Sequence, residues 1–565
     1  MGMRDTLIAL LWGGTLLAAP FAASAMIGRR FASGRAYLVV AFGVLGIGIV
    51  AILTFLGFWI APAIGVVLCW LIIAASVVIL SRAKVWSYWR IILPLATLTV
   101  AFATGYIALL YLWSTTADGF TLAATRFFTF RLPVDNYIPT LTAERLSEGL
   151  STHGLVEDWN GSDRPPAQAG LILFAWTFRP PFLTPAVMSL GIGIAAQLTW
   201  IPALFAFLRS LRVARLSAYV GVVFAGFAGT TLVNTVFTWP KLISAAFVLV
   251  SALFLVDARA RPAMFRIGLS FAVVSFALAM LAHGAAAFML PLVIALGVAA
   301  SRRQPVRALF HSGLAAVAAG LIVYLPWVLY QRLADPPGDR LLKWHLAGVM
   351  KLADSRSFIQ ALIDSYSQLT IGQWMGTRLA NFGTVVNWNI LHGLSDSYAR
   401  RSAEFFTTSM ALGLAFPMAG VIIATIVIQR IRGRRLSRND RLFAALQLGS
   451  VGCIAFWCLV MYTPRSTIVH QGSQVWIFLL LVSPIIWVVE RNRIIGAITL
   501  APAFGYFLLE YAPGVAGASI RPAALLLAIA SIAAVVGVVC FVWRQSSSLN
   551  RTAIVSPTLA PSDRS

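Results

Sequence analysis

With 565 residues, 59% of them hydrophobic and only 11% charged, the chain lies far from a water-soluble domain, in which roughly a quarter of residues carry charge. A formal net charge of +24 would point to nucleic acid if it were gathered on one folded surface. The basic residues instead fall in short clusters between apolar runs: Arg29, Arg30 and Arg35, then Arg209, Arg212 and Arg215, then Arg430 through Arg441. That distribution follows the positive-inside rule, makes membrane lipids the neighbours, and leaves no role for nucleic acid.

In chain order, apolar runs fall near 7–27, 36–58, 62–81, 89–113, 184–208, 216–237, 241–256, 267–282, 285–300, 308–330, 405–428, 442–462, 473–489, 494–511 and 520–542. Most are long enough to cross a hydrocarbon core of roughly 30 Å as helices. The predicted fold is all-α, a polytopic transmembrane helix bundle of about thirteen to fifteen spans. The first run is too long for a signal-peptide core and ends in arginines, so it reads as a retained span. With the N-terminus outside and the C-terminus in the cytoplasm of a plasma (inner) membrane protein, only Asp257, Asp440, Glu490 and Asp563 of the 19 acids fall on the inner side.

This threading divides the chain into N-terminal membrane helices (1–113), a large extracytoplasmic loop with surface helices (114–183), central membrane helices (184–330), a second large extracytoplasmic loop (331–404), C-terminal membrane helices (405–542) and a tail (543–565) expected to be disordered. Cys69, Cys453, Cys458 and Cys540 all sit in apolar runs, so neither a disulfide framework nor a zinc site is expected.

The chemistry-bearing residues gather at the outer ends of the runs. In the first loop Asp135 precedes a stretch, 137–149, whose Ile138, Leu141, Leu146 and Leu150 alternate with Thr142, Glu144, Arg145 and Glu148. That spacing predicts an amphipathic helix lying at the membrane surface and ending at Gly149 or Gly154. Trp159 and the turn Asp163-Arg164-Pro165-Pro166 follow. Asp163 and Arg164 read either as a local ion pair or as substrate contacts. Lys241, the only charge between Arg215 and Asp257, reads either as a phosphate ligand or as a lysine snorkelling to the interface beside Trp239. His283, and His470 with Gln471, stand at span ends as binding groups or as packing and capping residues. The second loop opens with a Pro-Pro-Gly turn and offers Lys343 and His345, with Arg400 at its far end; it could lie across the mouth as a lid.

The order Asp135, stretch 137–149, Trp159, Arg164-Pro165-Pro166 resembles the GT-C membrane glycosyltransferases, in particular the branch with protein mannosyltransferases and lipid A aminoarabinose transferases. The resemblance covers some 40 residues closely and the many-span architecture loosely. It implies a glycosyltransferase moving sugar from a polyprenyl-phosphate donor to an extracytoplasmic glycan, lipid or protein acceptor. Asp135 would be the catalytic residue, orienting or deprotonating the acceptor, with Asp163, Arg164, Lys241, His283, Lys343, His345, Arg400, His470 and Gln471 as substrate-binding candidates. Here the loop follows the fourth predicted span, where the family places it after the first. Asn136 also stands where a second acid is often found, so no metal ligands are assigned and a divalent cation is left open. An O-antigen ligase or polymerase, and a flippase or transporter of lipid-linked glycans, are the alternatives. Walker-type, His-Glu-x-x-His and Gly-x-Ser-x-Gly motifs are absent, which leaves ATP-driven transport and zinc proteolysis without support.

Overall fold

A computed structural model describes residues 2–83, 89–127, 136–157, 159–349, 354–385, 415–462, 475–514 and 517–555. Twelve helices among them are long and apolar enough to cross a membrane, and a bent pair would make thirteen. The chain is an all-α, multi-pass membrane protein. Among the described residues no strand forms; two isolated bridges, Trp113 with Ile520 and Val156 with Trp159, are the only ladder pairings.

The first four helices, α1 (Met3–Ala32), α2 (Ala36–Ile60), α3 (Pro62–Arg82) and α4 (Trp89–Leu110), are followed by short helices α5 (Gly119–Thr125) and α6 (Ile138–Ser147), a 3₁₀ turn at Gly161–Asp163 and α7 (Ala167–Thr177). Next come α8 (Pro185–Gln197), α9 (Trp200–Ser210), α10 (Arg215–Gly226), α11 (Gly229–Val236), α12 (Lys241–Ala260), α13 (Phe265–Ala282), α14 (Leu290–Ser301) and α15 (Val306–Leu329). The second loop holds α16 (Arg340–Ala347), α17 (Phe358–Ser367) and α18 (Ile371–Val385). The rest is α19 (Phe416–Ile431), α20 (Arg438–Val460), α21 (Val475–Arg491), α22 (Arg493–Ile498), α23 (Leu500–Tyr511) and α24 (Pro522–Val555).

Burial sorts the spans into an inner and an outer set. The apolar window of α12 is 94% buried and that of α2 is 89%, whereas that of α3 is 17%. A helix apolar on every side packs against protein when central and against lipid when peripheral, so composition alone does not assign its layer. Phe42 of α2 fixes the centre, with its ring 4.9 Å from that of Phe271 and 5.3 Å from that of Phe254. Small residues let the backbones close in: a Cβ on Gly48 would lie 2.8 Å from Phe247 and Leu278, and one on Gly170 only 1.9 Å from the Ala51 carbonyl oxygen.

The bundle has two chemically different ends. Lys241 opens α12 and Arg259 lies in its last turn, which at 1.5 Å per residue separates them by about 27 Å. At the arginine-rich end each described acid is engaged: Asp257 with Arg35 at 2.7 Å, Asp440 with Arg491 at 2.6 Å, and Glu490 with the Ala214 amide at 2.7 Å. The N-terminus shares the other end, the mouth, where Thr6 and Tyr111 share a hydrogen bond of 3.0 Å.

Three expectations change. Helix α6 packs on α7 and the 3₁₀ turn, burying Ile138, Thr142 and Leu146, so its apolar stripe meets protein and it is no lipid-facing surface helix. Residues 167–177, read as loop, form a short buried helix against α2. Helix α24 runs to Val555, through much of the tail expected to be disordered, and Gln545 accepts a hydrogen bond of 2.8 Å from Arg215 that ties it to the bundle.

Candidate functional site at the bundle mouth

The floor of the site begins with a broken helix. α10 and α11 meet at 66°, and Tyr106 of α4 braces the break by donating to the Gly226 carbonyl and lying 3.2 Å from Thr231 Oγ1. The chain leaves α11 through Thr238, whose φ of +57° is left-handed and costs a β-branched residue strain. Gly193 makes room there, since a Cβ on it would lie 2.7 Å from Thr238 Cγ2. Helix α12 then starts with Pro240 as its N-cap residue, which has no side-chain cap. Gln197 supplies one from a neighbouring element: its Oε1 accepts from the amides of Leu242 at 3.1 Å and Ile243 at 3.2 Å.

Lys241 is the first residue of this helix, where the dipole favours anions and disfavours a cation. Its ammonium lies 3.9 Å from the centre of the Trp239 ring, a cation–π contact worth about 2 kcal/mol when desolvated. Both residues are buried, at 2% and 1% exposure. The snorkelling alternative is therefore incorrect: the side chain ends inside protein, not at the lipid interface.

His283 joins the spans Pro262–Ala282 and Gly284–Ser301 in extended backbone, and its Nδ1 accepts from the Ala285 amide at 3.1 Å, which assigns the ring proton to Nε2. Ser244 ties α12 to this turn by donating to the Ala279 carbonyl at 2.9 Å. Burial first, and then the positive charges of Lys241, Arg164 and His345, hold His283 well below its ordinary value. The imidazole is thus neutral, and three basic residues from three other parts of the chain disfavour its charged form.

The rim is built from the two loops. Asp163 ends the 3₁₀ turn and accepts from the Asn160 amide at 2.9 Å. Its ion-pair partner is Arg340 of α16, at 3.3 Å, not the adjacent Arg164 of the local-pair reading. Burial raises the Asp163 carboxyl above its ordinary value despite the Asn160 amide, Arg340 and Arg164. Trp159 carries the guanidinium carbons of Arg164 at 5.0 Å and Arg340 at 4.6 Å from its ring centre. Asp335, fully buried, locks the loops together by accepting from the Ser162 amide at 2.8 Å and Thr152 Oγ1 at 3.0 Å, with His153 Nδ1 3.1 Å away.

Of the residues singled out from sequence, Arg164, Lys241 and His345 bear electrostatically on His283, and Asp163 joins Arg164 through Arg340 and the Trp159 ring. Lys343 belongs to a different concavity of about 460 Å³, beside Arg332 and Arg356; its ammonium lies 3.2 Å from Asp339 Oδ1 and donates to the Asp354 carbonyl at 3.1 Å. Its contacts in the structure are those of a loop brace. Asp135, Arg400, His470 and Gln471 lie outside the described residues. Gln197, Asp335 and Arg340 were missed as site residues. Gln197 carried a usable signal, an amide within an apolar run where polar groups are costly; Asp335 and Arg340 looked like ordinary turn residues. Among the described residues no three His, Cys, Asp or Glu side chains are grouped so as to hold a metal ion.

No protein-family model, curated protein or solved structure matches the chain.

Proposed function

We propose that this chain is a membrane glycosyltransferase that takes a sugar from a polyprenyl-phosphate donor and passes it to a glycan, lipid or protein acceptor on the extracytoplasmic side. The mouth is that side in this reading, because the opposite end holds the arginine clusters that favour the cytoplasm. The observation that carries the proposal is the burial of Lys241 and Arg164, each over a tryptophan ring, at the mouth of a membrane bundle, where their charge bears on the buried, neutral His283. Buried cations are expensive, and a phosphate leaving with its electron pair is a ligand that rewards them. In the transfer the acceptor oxygen bonds to the anomeric carbon, the carbon–oxygen bond to phosphate breaks, and the hydroxyl proton passes to a base, for which Asp135 is the candidate. Lys241 and Arg164 would neutralise the departing polyprenyl phosphate, and His283 would donate a hydrogen bond through Nε2.

The test uses full-length protein in nanodiscs with a panel of polyprenyl-phosphate sugars, following release of polyprenyl phosphate. Asp135→Asn is expected to abolish release, and Lys241→Gln to lower turnover about a hundredfold, the size of losing one preorganised charge contact. A transporter is the second reading, favoured by the 66° break between α10 and α11, since interrupted helices often frame transport sites. Movement of intact lipid-linked glycan across the bilayer, with no bond broken by wild type, would replace the first reading with the second.

A further inference from the structure

A second site lies at the other end of the bundle. A cavity of about 520 Å³ there is lined by Arg212, Arg259, Arg303, Arg438 and Arg441. These arginines come from the turn after α9, the last turn of α12, the connection after α14 and the start of α20. The positive-inside rule accounts for arginines at the ends of spans. It does not account for five of them, from four distant parts of the chain, surrounding one concavity. Nor does the helix dipole: Arg259 in the last turn of α12 is favourably placed, whereas Arg438 and Arg441 stand in the first turn of α20, where the dipole favours an anion.

The carboxylates nearest in sequence are turned elsewhere. Asp257 accepts from Arg35 at 2.7 Å, Tyr37 at 3.0 Å and Arg261 Nε at 2.9 Å. Asp440 accepts from Arg491 at 2.6 Å and Trp487 at 2.9 Å. No acid lines the cavity among the described residues. Arg438 also donates to the Leu211 carbonyl at 2.6 Å, which holds the start of α20 against the turn after α9 and fixes the rim. Leu211, Val256 and Leu442 provide an apolar wall beside the five guanidinium groups. A phosphate matches the planar forks of arginine, and the apolar wall matches glycerol and acyl carbon.

We infer that this cavity is a binding site for the phosphate-bearing headgroup of an anionic phospholipid. The site is independent of the glycosyl-transfer reading, since it lies about 27 Å along α12 from Lys241. The experiment is native mass spectrometry of the full chain in detergent with dioctanoyl phosphatidic acid, dioctanoyl phosphatidylcholine or inorganic pyrophosphate. Wild type is expected to retain phosphatidic acid at least tenfold more tightly than phosphatidylcholine, and pyrophosphate to displace it only weakly. Arg259→Gln with Arg441→Gln is expected to lower phosphatidic acid retention at least tenfold. Arg259→Lys with Arg441→Lys keeps the charge that orients the chain but not the guanidinium fork, and is expected to fall between. Equal retention of the two lipids by wild type, or unchanged retention in both double variants, overturns the site. Pyrophosphate binding as tight as phosphatidic acid overturns the lipid assignment in favour of a soluble polyphosphate.

Discussion

At the scale of single residues the mouth is a set of exchanges between charge and burial. Lys241 sits at the wrong end of a helix dipole and is offset by the Trp239 ring, while Asp163 is buried enough for its carboxyl to rise even beside Arg340. His283 gives the clearest consequence. Its folded value lies below the ordinary 6.5, so as pH falls through 6.5 the unfolded chain takes up a proton that the folded chain refuses. Its contribution to stability is therefore complete above pH 6.5 and declines below it. Thermal inactivation of wild type is expected to accelerate on moving from about pH 7 to about pH 5, whereas His283→Asn, which can still accept from the Ala285 amide, is expected to lose that part of the slope. An unchanged slope in the variant would show that His283 is not the group responsible.

At the scale of elements, the site depends on short pieces held by longer ones. α7 is only 11 residues long, yet it follows directly on the turn carrying Asp163 and Arg164, and its seat against α2 sets where that turn lies. Gly170 makes the seat: a Cβ there would stand 1.9 Å from the Ala51 carbonyl oxygen, a backbone atom that cannot swing aside. Gly170→Ala should destabilise by about 1–3 kcal/mol as an overpacking change, read as a lower half-inactivation temperature in detergent. It should also reduce any transfer activity by displacing Arg164. Gly505→Ala, also within a helix but where a Cβ meets nothing within 4 Å, is the control, expected to be neutral or slightly stabilising. The second loop depends on its supports in the same way: Asn381 of α18 donates to the Met461 carbonyl at 2.7 Å and the Cys458 carbonyl at 3.0 Å, and the Tyr462 amide donates to the His345 carbonyl at 3.0 Å. The end of α20 thereby carries both α18 and α16, the helix that bears Lys343.

At the scale of the whole molecule, the two ends of the bundle differ in chemistry. One assembles acids, aromatics and buried cations into a site; the other gathers arginine, with its few described acids all committed to partners. The orientation makes a direct prediction. Ser355→Cys, exposed at the mouth, should react with a membrane-impermeant maleimide in intact cells, and Arg435→Cys, exposed at the arginine-rich end, only after permeabilisation. Cys69, Cys453 and Cys458 are buried and give little background; Cys540→Ser removes the remaining thiol. The opposite labelling pattern would invert the topology and end the extracytoplasmic reading of the mouth.

Composition and hydropathy by themselves determined the all-α membrane architecture, the approximate limits of most spans and the separation of charge between the ends, because transfer of apolar and charged groups between water and lipid is a local property of each segment. Lys241 and His283 were legible as candidates for the same reason, as ionisable groups at span ends, and Arg164 through the loop pattern of Trp159 and Arg164-Pro165-Pro166. Their bearing on one another was not legible, nor was the pairing of Asp163 with Arg340, the capping of α12 by Gln197 or the gathering of five arginines around one cavity. Those depend on which helices are neighbours, and helices that are apolar on every side carry no mark of their neighbours. Only packing, through close approaches such as Gly170 against Ala51 and Gly48 against Phe247, decided that.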